Sequence, residues 1–102
     1  MFYAYIVASG RNGTLYVGHT DDICRRAWEH RTGARPGFTR KYGCRRLVWW
    51  EAFETREGAR TRELRIKEWR RLWKLRLIEA ENPEWEDLYE RLPQDLPYER
   101  MK

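Results

Sequence analysis

Four kinds of side chain suited to hydrolytic chemistry stand along this chain at spacings a small fold can exploit. They are a tyrosine pair, Tyr5 and Tyr16; an arginine and a histidine, Arg26 and His30; and a glutamate, Glu63. Tyr5 and Tyr16 lie on either side of Ser9-Gly10-Arg11-Asn12-Gly13, and Asn-Gly is a reverse-turn signal because both residues tolerate positive φ. With Asn12-Gly13 at the turn centre, Tyr5 falls a few residues from opposite Tyr16 on adjacent strands. Ordinary strand aromatics would look the same. Arg26 and His30 stand at i and i+4, so they share a helix face. Ile23 and Ala27 lie near that face, which therefore turns toward the sheet. An arginine placed there is either a surface cation lying along apolar groups or a phosphate clamp. Ala59, Glu63 and Ile66 follow at i, i+4 and i+7, one face of a helix that Trp73 is expected to continue. A carboxylate in an apolar stripe must be paired, protonated or bound to a cation, and Lys67 at i+4 is the nearest pairing partner.

These residues need elements to position them. Phe2–Ala8 and Thr14–Gly18 read as the strands of a β-hairpin. Thr20-Asp21-Asp22 offers N-caps for a helix over about 22–31 that ends near Gly33. Residues 31–46 are punctuated by Gly and Pro and carry six cations, Arg31, Arg35, Arg40, Lys41, Arg45 and Arg46. Around Phe38-Thr39-Arg40-Lys41-Tyr42, cations alternate with aromatics, which suits backbone contact and base stacking as well as a solvated loop. Leu47–Phe53 is a third strand. Helices follow over about 56–69 and 71–81, the second stopping at Asn82-Pro83 because the residue before proline disfavours the α region. The pattern predicts an α/β (α+β) domain over residues 1–83, with a three-stranded, mainly antiparallel sheet flanked by about three helices. Residues 84–102 form an acidic extension, packed on the domain or trailing from it, with Trp85, Leu88 and Tyr89 as its anchors.

Composition narrows the partners. Fifteen aromatic residues among 102, six of them Trp, exclude a disordered chain. The longest apolar runs are far too short to span a bilayer, and Met1–Tyr5 lacks the basic start and cleavage site of a signal peptide. Cys24 and Cys44 have no metal-ligand spacing and read as buried thiols of a cytoplasmic protein. The net charge of +5 conceals an asymmetry: residues 1–76 hold eighteen Lys/Arg against eight Asp/Glu, whereas residues 77–102 hold three against eight. A body at +10 fits a polyanion whose counterions it can release.

The ordered set Tyr3-Ala4-Tyr5, Tyr16-Val17-Gly18, Arg26 and Glu63 resembles the GIY-YIG nuclease superfamily, to which the cutting domain of the repair nuclease UvrC belongs. The resemblance covers about residues 2–83. Phe38-Thr39-Arg40-Lys41-Tyr42-Gly43 and Asn82-Pro83-Glu84-Trp85 are similar to its small single-domain bacterial branch. Tyr3 and Ala4 stand where the first motif has glycine and an aliphatic residue.

The resemblance implies an endonuclease that hydrolyses DNA phosphodiesters in repair or processing. Glu63 would hold one Mg²⁺, for which Mn²⁺ can substitute, while Arg26 stabilises charge on phosphorus. Tyr5 would act as base with Tyr16 as its positioning partner, His30 would belong to the same catalytic set, and Asn82 would support the site. A phenol of ordinary pKa is only about 0.1% ionised at pH 7, so a neighbour must lower that pKa or relay the proton, and His19 is the expected relay. Arg35, Arg40, Lys41 and Arg45 would contact DNA. Without an accessory binding domain, selectivity for branched, flapped or single-strand-containing DNA is expected, rather than for sequence. The competing reading is a nucleic-acid-binding module that keeps the fold and has little catalysis.

Overall fold

A computed structural model describes residues 1–92 of the chain. Its sheet has the order β2-β1-β3, with β1 (Phe2–Ala8) paired antiparallel to both β2 (Leu15–Thr20) and β3 (Arg46–Phe53). The central strand is covered on both faces, so Tyr3 to Ala8 is one continuous buried run.

The hairpin turn closes one residue earlier than Asn12-Gly13 as its centre would require. Ser9 N–H donates to Thr14 O (3.0 Å), Gly13 N–H donates to Gly10 O (2.9 Å), and Asn12 alone of the Asn-Gly pair takes a positive φ, 58°. Tyr5 therefore pairs with Gly18, and Tyr16 pairs with Val7. Because side chains alternate across a strand, this register puts Tyr5 and Tyr16 on the same face and His19 on the other.

Each face has its own helix layer. Helix α1 (Ile23–Thr32) begins where Asp22 accepts from Arg25 N–H (3.0 Å) and ends at Gly33, whose φ of 69° is the left-handed cap geometry that glycine adopts without strain. It packs Ile23, Cys24 and Ala27 on Tyr3, Tyr5, Val7 and Leu47. On the opposite face, α3 (Arg56–Glu68) and α4 (Arg71–Glu81) bring Ile66 and Ile78 onto Ala4, Ile6, Val17 and Val48. Cys24 and Cys44 are buried, unbridged thiols.

Three local expectations change. The 31–46 segment contains a short helix, α2 (Phe38–Lys41), so the domain has four helices besides a 3₁₀ turn at Leu88–Arg91. Strand β3 starts at Arg46, one residue earlier than expected. Trp73 does not extend the buried stripe of Glu63. The helix breaks at Trp69 and Arg70, both extended, and the new helix turns Trp73 outward, 57% exposed.

The described part of the acidic extension is packed. Trp85, Tyr89 and Leu92 are buried, and Asp87 accepts from Leu47 N–H (3.2 Å) beside the end of β3. Residues 93–102 lie outside the described part. No described helix is long and apolar enough to cross a membrane.

Candidate active site

The edge strand β2 is where the two helix layers meet the same stretch of chain. On one side of it stand Tyr5, Tyr16, Arg26 and His30; on the other stand His19, Glu63 and Lys67. Gly18 is the reason the first group can assemble. The phenol of Tyr5 lies across β2 so closely that a Cβ at position 18 would sit 2.7 Å from its hydroxyl oxygen and 2.8 Å from Cζ. Any larger residue would block that path.

The Tyr5 hydroxyl meets His30 Nε2 at 3.1 Å, and His30 Nδ1 meets Thr39 Oγ1 at 3.1 Å. Either neutral tautomer satisfies both contacts, because one ring nitrogen donates, the other accepts, and the Tyr5 and Thr39 hydroxyls can each take the complementary role. Neutral His30 is what the surroundings favour. Burial lowers its pKa to about 4, and the Arg26 guanidinium adds to the effect by repelling an imidazolium. Tyr5 moves the other way. Burial drives its phenol well above the ordinary value, and Arg26 offsets only part of that. The expected lowering of a tyrosine pKa is therefore not found at Tyr5, where desolvation outweighs the neighbouring cation.

Tyr16 completes this side. Its ring centroid lies 6.5 Å from that of Tyr5, 6.0 Å from His30 and 6.0 Å from Phe38. Tyr5 is 1% exposed, so Tyr16 is the tyrosine that reaches the surface. Together with Arg26, Glu29, His30, Arg35 and Phe38 it lines a cleft of about 270 Å³. An adjoining cleft of about 400 Å³ shares Arg26, Glu29 and Arg35 and adds Thr20 and Arg25.

Arg26 does not stand alone. Its Nε is 3.1 Å from Glu29 Oε1, while Arg25 Nε lies 3.3 Å from Glu29 Oε2 and Arg35 Nη1 lies 3.7 Å from Oε1. Although close to two guanidinium groups, Glu29 Oε1 is buried and accepts no well-aligned hydrogen bond. One carboxylate thus gathers three arginines, two of which line both clefts and the third, Arg25, the second cleft alone.

On the far side of β2, Glu63 is only 7% exposed. His19 Nδ1 approaches its Oε1 at 2.5 Å and Lys67 Nζ approaches its Oε2 at 2.5 Å. Burial alone would raise this carboxyl, but the bonds from Lys67 and His19 prevail and hold it below the usual carboxylate range. Lys67 Nζ also sits 5.9 Å from the Tyr16 ring centroid, which links the two halves of the site.

The remaining expected residues fall elsewhere. His19 is bonded to Glu63, and the partner of Tyr5 is His30 instead. Asn82 is a structural anchor of the chain's last described turn. Its buried amide donates to Val48 O (3.2 Å) and Glu86 O (2.9 Å), and its Oδ1 accepts from Glu86 N–H (3.0 Å). Arg40 and Lys41 are exposed on α2, Arg35 reaches the clefts, and the Arg45 guanidinium covers Gly33. Glu29 and Thr39 join the site without having been assigned a part in it, while Lys67 makes the i, i+4 pairing with Glu63 that the spacing offered. Glu29 was legible as the i+3 partner of Arg26, whereas no spacing pointed to Thr39.

No three His, Cys, Asp or Glu side chains cluster as a metal site among the described residues. A metal at Glu63 would thus take at most two ligands of these kinds from the described residues. That fits Mg²⁺, which keeps several waters and takes its other oxygens from substrate phosphates. Glu63 already holds a cationic group, the Lys67 ammonium, on a flexible side chain that is 45% exposed and free to swing away.

The chain is similar to known proteins. The chain matches the GIY-YIG catalytic domain over residues 1–76. It is 40% identical over 77 residues to a UPF0213 protein of Haloquadratum walsbyi, which covers 76% of this chain and 85% of that protein. It is 35% identical over 82 residues to a UPF0213 protein of Clostridium perfringens, covering 80% and 87%. The solution NMR structure of a UPF0213 protein from Bacillus halodurans is similar to it with a TM-score of 0.51 and 30% identity, across 100% of this chain and 95% of that one. A match across most of the chain, with the motif tyrosines, Arg26 and Glu63 gathered around one strand edge, places the protein in the GIY-YIG family of endonuclease-type catalytic domains.

Proposed function

We propose that the protein is a Mg²⁺-dependent endonuclease that hydrolyses DNA phosphodiester bonds in repair or processing. It selects its substrate by structure, favouring branched, flapped or single-strand-containing DNA. The observation that carries this reading is the buried Glu63 carboxylate, linked through Lys67 to the ring of Tyr16, which with Arg26 and His30 lines the cleft across β2.

Each side chain has a task that its position supports. Glu63 would hold the metal through Oε2 once Lys67 leaves, and His19 on Oε1 would keep the carboxylate oriented. Bound Mg²⁺ supplies Lewis-acid polarisation of the phosphate. Arg26, at the cleft wall, stabilises the charge that builds on phosphorus as a water oxygen bonds to it and the ester oxygen departs. Tyr16 orients that water, since it is the tyrosine the cleft exposes. Tyr5, His30 and Thr39 form a fixed hydrogen-bonded wall behind it. A phosphate paired with Arg26 would also relieve the repulsion that disfavours a proton on His30, making the imidazole a better acceptor when substrate is present.

Glu63→Gln tests the proposal. Gln keeps the volume but not the negative charge that a hard divalent cation requires, so single-turnover cleavage of a flapped duplex should fall at least ~10²-fold. Binding and fold should persist. Cleavage near the wild-type rate would remove Glu63 from the mechanism and favour a binding module with little catalysis.

A further inference from the structure

A second concentration of positive charge lies outside the clefts described above. Between Arg60 and Arg76 the chain carries eight Lys/Arg and two Asp/Glu, and Glu63, one of the two, is buried. Three of these cations have partners: Arg62 with Glu51, Lys67 with Glu63, and Arg71 with the carbonyls of Asn12 and Gly13. Arg60, Arg65, Arg70, Lys74 and Arg76 have no ion-pair partner among the described residues.

The same stretch of chain carries apolar side chains that the fold leaves uncovered among the described residues. Trp73 is 57% exposed, Leu72 53% and Leu64 47%. Trp73 leans on Trp69 with ring centroids 6.1 Å apart, and these two rings, Arg76 and Leu77 line a shallow cleft of about 260 Å³. Behind it, the Arg62 guanidinium lies 5.5 Å from the Trp69 ring centroid and 5.6 Å from that of Trp49, which fixes the floor of the cleft. An exposed indole that shares its cleft with the unpaired Arg76, with Arg70 and Lys74 close by in sequence, would repel a basic partner and offers an acidic protein few flat polar contacts. It suits a polyanion that also has π-faces.

We propose that the α3–α4 junction is a second nucleic-acid-binding surface. It would hold the part of the substrate flanking the cleavage site by stacking a base on Trp73 and pairing phosphates with Arg65, Arg70, Lys74 and Arg76. This rests on the nucleic-acid reading above and adds a surface distinct from the Arg35–Arg45 segment. Lys67 and Arg71 belong to the same stretch of chain but are held elsewhere, one at Glu63 and the other at the hairpin turn.

The test is a fluorescence anisotropy titration of the full chain with a fluorescein-labelled flapped duplex, in EDTA and over a range of salt. Four proteins are compared: wild type, Trp73→Ala, the double reversal Arg70→Glu with Arg76→Glu, and a control reversal Arg11→Glu with Arg91→Glu. The control changes net charge equally but removes residues held in exposed ion pairs. Trp73→Ala should weaken binding roughly 5- to 100-fold with an unchanged salt slope, because stacking releases no counterions. The Arg70/Arg76 reversal should reduce the slope by about 1–2 and weaken binding more than the control does. Melting temperatures should stay at the wild-type value, since all these side chains are exposed. If Trp73→Ala binds like wild type and the Arg70/Arg76 reversal behaves like the control, the inference fails. It also fails if sedimentation shows that wild type self-associates through this face, with Trp73→Ala monomeric and binding DNA normally. Because cleavage is not read in EDTA, a protein that binds through this face but never cuts would sink the nuclease proposal and leave this one standing.

Discussion

Gly18→Ala separates two opposite expectations for one methyl group. In a strand interior glycine costs backbone entropy, so replacing it with alanine ordinarily stabilises by about 0.5–1 kcal/mol. Here the new Cβ would lie 2.7 Å from the Tyr5 hydroxyl oxygen, 2.8 Å from its Cζ and 3.1 Å from Tyr16 Cε2. Tyr5 cannot give way easily: it is 1% exposed and its hydroxyl is held by His30. Overpacking of this kind costs about 1–3 kcal/mol, and breaking the Tyr5–His30 bond adds about 0.5–1.5 kcal/mol. The clash outweighs the entropic gain, leaving a net destabilisation of about 1–3 kcal/mol. For a domain of this size that lowers Tm by roughly 4–20 °C. Urea unfolding and thermal melts measure it directly. A second background sharpens the argument. Tyr5→Leu removes the atoms that collide, so Gly18→Ala made on top of it should be neutral or mildly stabilising, giving a coupling energy of about 1–3 kcal/mol. A Gly18→Ala protein melting at or above the wild-type temperature would refute the reasoning, because it would mean that the Tyr5 phenol does not cross β2.

Other perturbations probe separate parts of the molecule. His30 in the folded chain has its pKa lowered to about 4 from 6.5, so the unfolded chain takes up the proton first. Its contribution to stability is present above pH 6.5 and is lost as pH falls toward 4. The full shift corresponds to about 3 kcal/mol, and solvent screening of this half-buried ring reduces it to about 1–2 kcal/mol. Urea melts across that window should show a shallower pH slope for His30→Gln than for wild type, and equal slopes would contradict the assignment. Asn82→Ala strips three hydrogen bonds from a buried turn and should cost about 2–4 kcal/mol in the same melts without altering DNA affinity. Arg40→Ala with Lys41→Ala should change stability by no more than about 0.5 kcal/mol while weakening DNA binding. If about 3–5 phosphates are contacted, log K for wild type should fall with log salt at a slope of roughly −3 to −4, and salt-independent binding would rule out the electrostatic footprint.

Much of this protein could be read from residue order. The alternating and continuous apolar runs, Asp22 as a cap, Gly33 as a stop and Asn82-Pro83 as an end all act within a few residues of themselves, so the helices and strands follow from local physics. Glu63 could be picked out for the same reason, since helical periodicity alone set a carboxylate on a buried face. The partners of these groups were not legible. The turn's true centre moved the register so that Tyr5 meets Gly18, and only that pairing explains why glycine stands there. The break at Trp69–Arg70 could not be weighed from spacing, so Trp73 was expected on a buried stripe and emerged on the surface. Thr39 reaches His30 because a four-residue helix formed within a Gly- and Pro-rich segment, and Tyr5 is too deeply buried for Arg26 to lower its pKa. Local sequence determines which way each side chain points along its own element. Desolvation, hydrogen-bond pairing and steric passage depend on groups tens of residues away, and those distances exist only once the two helix layers have closed on the sheet.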